Sequence, residues 1–110
     1  MITNVPEEKK LTFVCRVEGG CLGPEGEKLV ARFCGYAMDE MESWHTDYLN
    51  LKILPRIDKT MPEFDYQISG RGLSRDQAGK YLTLFQQNPD ALEDELNSHL
   101  VELINRYLDR

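Results

Sequence analysis

The sequence predicts a single α+β domain, and three observations carry that reading. Some segments place apolar residues at every second position, as a half-buried strand does. Others repeat them at steps of three and four, as an amphipathic helix does. The 110 residues hold no internal repeat and no linker, and that length is enough for one sizeable core. In chain order the segments read β-α-β-β-α-α.

Residues 1–9 lack periodicity and are expected to form a flexible N-terminal tail, which leaves 10–110 as the domain. In KLTFVCRVE, Leu11, Phe13, Cys15 and Val17 share one face, while Thr12, Arg16 and Glu18 share the other with Val14. That is a one-sided strand. The period then changes. Over 26–45, Leu29, Val30, Phe33, Cys34, Tyr36, Ala37, Met41 and Trp44 fall within a sector of roughly 160°, which predicts a helix with a wide buried face. Two strands follow, one on Leu49, Leu51 and Ile53, the other on Phe64, Tyr66 and Ile68. The intervening RIDKTMPE predicts that they pair as a hairpin with a loop longer than two residues, Pro62 standing where no ladder donor is needed.

In LSRDQA, Ser74 can cap a helix while Gln77 reaches back to the cap amide, and Ala78, Tyr81, Leu82 and Phe85 form its inward stripe. Asn88-Pro89 ends that helix and opens another, with Asn as cap and Pro at the first helical position. In this last helix Leu92, Leu96, Leu100, Leu103, Ile104 and Tyr107 form one stripe. Asp90, Glu93 and Asp94 at its start and Arg106 and Arg110 at its end suit the helix dipole.

A right-handed crossover sets the first two strands parallel, and the hairpin sets the third antiparallel. With the third strand in the middle, the expected sheet is three-stranded in order 1-3-2, with the helices packed on one face. The layout resembles a ferredoxin-like arrangement whose last strand has become a helix. This is a resemblance of architecture only and implies no activity.

An apolar share of 41% and a charged share of 29% are those of an ordinary water-soluble domain, and no stretch approaches the roughly 18 apolar residues of a membrane span. MITNVPEEKK has no apolar signal core, so a cytoplasmic protein is expected. An odd set of three cysteines, Cys15, Cys21 and Cys34, fits free thiols. The net charge of −6 divides into −3 over 1–46, +1 over 47–88 and −4 over 89–110. Nucleic-acid affinity comes mainly from neutralised phosphates, so no nucleic-acid partner is expected.

The segment VEGGCLGPEGEKLVARFC has the strand, Gly-rich loop and helix of a phosphate cradle, but not its chemistry. Lys28 is displaced from the P-loop position, no hydroxyl follows it, and Glu25 and Glu27 occupy the place of the phosphate. The loop is read as a turn into the helix. No Cys-x-x-Cys pair exists, so no metal is expected. Cys15 and Cys34 read as core residues, leaving Cys21 as a possible reactive thiol. His45, at the expected end of the first helix, could be a base oriented by Asp47 or simply a favourable C-terminal residue. Glu40, at the edge of the apolar sector, needs a partner from a tyrosine or a sheet arginine. His99 reads as a boundary residue. In SGRGLSRDQ, Arg71, Ser74 and Arg75 combine two guanidinium groups with a helix start, which could hold an anion or a partner's carboxylate.

Broad apolar faces over so small a sheet point to association. The expected function is therefore a non-catalytic protein–protein interaction or regulatory module, homodimeric, with no cofactor, no membrane and either itself or another protein as partner. The competing expectation is a small anionic-ligand binder, or a minor enzyme, that uses Arg71 and Arg75.

Overall fold

The computed structural model describes residues 5–109. The chain forms strand β1 (Leu11–Val17), helix α1 (Gly26–Glu40), strands β2 (Leu49–Pro55), β3 (Phe64–Ile68) and β4 (Arg71–Leu73), and helices α2 (Arg75–Thr83) and α3 (Pro89–Tyr107). The fold class is the expected α+β. The sheet, however, is four-stranded and mixed, in the order β2-β1-β3-β4. This corrects the expected three-stranded order 1-3-2 and the ferredoxin-like resemblance, since β2 pairs directly with β1 and not with β3.

The composition of β1 explains its central place. Leu11, Phe13, Cys15 and Val17 are buried against the helices, and Val14 is also buried although it faces the other way. A strand this deeply buried is best stabilised by ladders on both edges. It pairs in parallel with β2, Leu11 opposite Leu49 and Cys15 opposite Ile53, and antiparallel with β3, Phe13 opposite Tyr66. The segment after Pro55 therefore does not close a hairpin. It crosses the end of β1, held by Arg56 N–H donating to the Val17 carbonyl and Arg16 N–H donating to the Glu63 carbonyl. Two strand spacings, on the order of 10 Å, separate β2 from β3, a gap that a loop of two residues cannot span.

The strand missed in the sequence is β4. Ser69 and Gly70 have φ values of 52° and 79°, the positive pair that a two-residue hairpin of type I′ requires, and Ile68 then faces Arg71. Both sheet edges are blunted. Leu11 N–H donates to the Tyr48 carbonyl and Arg56 N–H to Val17, so the odd-numbered residues of β2 turn their peptide groups outward. Of these, Leu49 N–H is taken by the His45 carbonyl and Ile53 N–H lies 3.2 Å from the Met38 sulfur, while Pro55 has no N–H. Only the Leu51 amide is left to offer a donor. The same alternation leaves β4 with Gly72 alone facing outward.

The buried faces of the three helices share a core with the sheet. Val30, Phe33, Cys34 and Ala37 of α1, Ala78 and Leu82 of α2, and Leu92, Leu96, Leu100 and Leu103 of α3 meet the strand residues in one core. The capping box of Ser74 and Gln77 forms, and Asn88 caps α3 by accepting from Ala91 N–H at 2.8 Å. Helix α1 ends at Glu40, not at 45. Met41 and Trp44 continue the apolar period, but residues 41–48 are turns, with His45 at φ 50°. Contacts with α3 replace further helical hydrogen bonds here. Trp44 Nε1 donates to Glu95 Oε1 at 2.6 Å, and His45 Nε2 lies 3.0 Å from the same oxygen.

A second lock joins the sheet to α2 and α3. The Tyr66 hydroxyl donates to Glu93 Oε2 at 2.5 Å, and Arg75 donates to the same oxygen at 2.5 Å while also binding Asp90. Burial and the Glu93 carboxylate hold the Tyr66 phenol well above the ordinary tyrosine range. Part of the expected tail is tied down. Residues 7–9 form one 3₁₀ turn, Val5 is buried with its N–H on the Asp47 carbonyl, and the Lys9 carbonyl accepts from Tyr81. Residues 1–4 of that tail lie outside the described residues.

Candidate functional site

A groove of about 360 Å³ opens at the carboxyl ends of the parallel strands, between β1 and α3. Helix α3 and the loop after β2, which crosses beyond the end of β1, bound it. Cys15 and Val17 from β1 and Leu100, Val101 and Ile104 from α3 give it apolar walls, while Arg16, Glu18, Cys21, Arg56, Glu63 and Asn97 form the polar rim.

The rim charges are mostly paired. Arg56 Nη1 donates to Glu18 at 2.5 Å, and Arg16 donates to the Pro62 carbonyl at 2.9 Å and lies 3.5 Å from Asp65. Arg56 also organises the crossing loop, its Nε donating to the Met61 carbonyl at 3.1 Å and its Nη2 to the Lys59 carbonyl at 3.3 Å. Asp58 Oδ1 accepts from both the N–H and the hydroxyl of Thr60, at 2.9 and 2.6 Å. These bonds brace loop 56–61 in a shape that leaves Ile57 85% exposed, and Leu54, Met61 and Val101 are also exposed.

The three cysteines divide as their positions suggest. Cys15 and Cys34 are buried and Cys21 is exposed, in a 3₁₀ turn spanning Gly19–Leu22. Burial, with Glu63 adding to it, pushes the Cys15 thiol up to about 12, and burial pushes Cys34 up to about 11. Around Cys21 the Gly-rich loop folds back on the start of α1. A Cβ on Gly26 would lie 1.6 Å from the Gly19 carbonyl oxygen, and one on Gly19 would lie 2.8 Å from Glu27. The Gly19 carbonyl thus occupies the space in front of the helix terminus. The loop is a turn, as expected.

Arg71, Ser74 and Arg75 make separate contacts. Ser74 accepts from Gln77 N–H as a cap, and Arg75 is held by Asp90 and Glu93. Arg71 is exposed on the edge strand β4, and among the described residues its side chain makes no hydrogen bond or ion pair. His45 is positioned by Glu95, not by Asp47, and it sits in a turn rather than at a helix end. Glu40 is exposed, 3.9 Å from Arg106 of α3, and not bound to a tyrosine or to the sheet. These groups line a second, more polar cleft with Trp44, His99 and Glu102. Among the described residues no set of three or more His, Cys, Asp or Glu side chains is arranged to hold a metal, and no helix is long and apolar enough to cross a membrane.

Sequence reasoning missed Arg56, Ile57, Met61 and Val101. One signal was present: Ile57 is an isolated large apolar residue in a polar loop, and Val101 falls off the Leu92, Leu96, Leu100, Leu103 stripe of its helix. No protein-family model, no curated protein and no solved structure matches this chain.

Proposed function

We propose that the protein is a non-catalytic protein–protein interaction or regulatory module that associates with itself through the end of the sheet carrying loop 56–61. One observation supports this above the others. A loop braced by Arg56 and Asp58 presents Ile57 at 85% exposure, with Met61 exposed in the same loop. A large apolar side chain on a loop already braced before binding is an anchor with less ordering cost to meet. Association by strand addition is disfavoured, since β2 offers one free donor and β4 presents one residue. The reading as an anionic-ligand binder has less behind it, because Arg75 already holds two carboxylates and Ser74 is engaged in capping.

Light scattering across a tenfold dilution tests the proposal. The native chain should give the mass of two copies when concentrated, and Ile57→Asp should give one at the same concentration with unchanged circular dichroism. A native mass of one copy throughout, or a dimer that survives Ile57→Asp, would refute it.

A further inference from the structure

We infer that Met38 is an oxidation-sensitive guard of the β2 edge, and that a peroxide which converts its thioether to the sulfoxide releases the Ile53 amide. Of the outward positions of β2, Leu49 gives its N–H to a backbone carbonyl and Pro55 has none to give. No change of side chain alters either. Ile53 N–H is held differently, by the Met38 sulfur at 3.2 Å. A thioether is a weak acceptor, and its chemistry can be switched. Met38 is placed for that reaction. It stands partly buried in the last turn of α1 and lines a surface cavity of about 140 Å³ with Met41, Trp44, Leu49 and Leu51. A water takes about 30 Å³ of liquid, so a peroxide has room beside this side chain.

The sulfur carries two lone pairs. One faces the Ile53 N–H, so the oxidant meets the other. That lone pair bonds to one oxygen of hydrogen peroxide, the O–O bond breaks, and the second oxygen leaves with both protons as water. The sulfur is oxidised by two electrons and the peroxide reduced by two. The new oxygen points away from the strand, and the sulfur, now positively polarised, faces an amide hydrogen. Attraction becomes repulsion, and the polar sulfoxide draws water to an apolar corner. The Leu51 and Ile53 amides then stand open together, about 7 Å apart, the spacing of successive donors on a strand edge. Strand addition to β2, closed to the reduced chain, is opened by oxidation, and reduction of the sulfoxide closes it again.

Hydrogen peroxide tests this on the native chain, with the sulfoxide at each methionine read by peptide mass spectrometry and amide exchange read residue by residue by NMR. Two methionines are internal controls. Met41 is 7% exposed, and Met61 is 39% exposed with only its backbone hydrogen-bonded among the described residues. Met38 should be oxidised after Met61 and before Met41, with circular dichroism unchanged. In the untreated chain Ile53 N–H should exchange about tenfold more slowly than Leu51 N–H, and in the Met38 sulfoxide it should reach the Leu51 rate. Lys52 N–H, which faces β1, should not change. Met38→Leu, a swap of similar volume without the acceptor, should show the fast Ile53 rate before any peroxide and no response to it. A Met38 that resists until the chain unfolds would overturn the inference. So would an Ile53 rate that the sulfoxide leaves unaltered or slows, or one that rises together with Lys52, since that marks loss of the strand and not an opened edge.

Discussion

Removing the Glu93 carboxylate should cost this protein more than an exposed helix acid would, and the cost should depend on a phenol in the sheet. Glu93 is 13% exposed and accepts from Tyr66, itself 4% exposed, and from Arg75. In Glu93→Ala the hydroxyl of the buried Tyr66 loses its carboxylate partner. A buried orphan hydroxyl costs about 1–3 kcal/mol, and the lost hydrogen bond to a charged group about 1.5–3 kcal/mol in its own right, with the two overlapping. A total near ~3 kcal/mol follows. Arg75 is half exposed and keeps Asp90, so its share stays below about 1 kcal/mol. Tyr66→Phe should cost about 1.5 kcal/mol, and Glu93→Ala in the Tyr66→Phe background only about 1 kcal/mol, since no hydroxyl is then left unpaired. The coupling energy is therefore about 2 kcal/mol. With a urea slope near ~1.5 kcal/mol/M, Glu93→Ala lowers the unfolding midpoint by about 2 M, and by well under half of that when Tyr66 is already phenylalanine. Chemical denaturation of the four proteins, followed by circular dichroism, measures the cycle. A coupling within about 0.5 kcal/mol of zero would show that the sheet-to-helix lock contributes nothing, and the reasoning would fail.

Gly26→Ala should destabilise by more than about 2 kcal/mol or prevent folding, because its Cβ meets the Gly19 carbonyl, while Gly35→Ala, exposed in the middle of α1 with open space around it, should stabilise by about 0.5–1 kcal/mol; thermal melts separate the two. Tyr48→Phe should be neutral or slightly stabilising in the same melts, since the Tyr48 hydroxyl is buried with no partner among the described residues. Stability should be fully present below pH 9 and fall as pH rises through 11 to 12. The unfolded thiols ionise from 9.0, whereas folded Cys34 and Cys15 hold their protons to about 11 and about 12, so above pH 9 ionisation favours the unfolded chain. Urea midpoints for the native chain and Cys34→Ala check this: the fall between pH 9 and 11 should be shallower in the variant.

The elements were legible in the sequence because each is written locally. The Ser74–Gln77 box, the Asn88-Pro89 boundary and the alternation of Leu11, Phe13 and Cys15 need only neighbouring residues to act. Pairing was not legible, because it depends on contacts between strands far apart in sequence. Val14 was the clue, an apolar residue on the face of β1 that was read as solvent-facing. Helix α1 was extended too far because Met41 and Trp44 keep the helical period while lying in turns held by α3. Strand β4 hid inside a segment read for its arginines, although Ser69-Gly70 after an alternating run was a hairpin signal. The candidate site draws on β1, loop 56–61 and α3, up to about 90 residues apart, and no local pattern unites them.

The central position of β1 also sets when this chain can acquire its structure. β1 is the first strand made, yet the partner on one edge begins at Leu49 and the partner on the other runs from Phe64 to Ile68. The apolar wall that closes over it, Leu92, Leu96 and Leu100, comes last. During synthesis β1 and α1 precede every element that covers them, so their apolar faces stay open until residues 92–100 have been made. A chain cut before Pro89 should therefore be a chaperone client and not a smaller domain, since it lacks Leu92, Leu96 and Leu100 of the core.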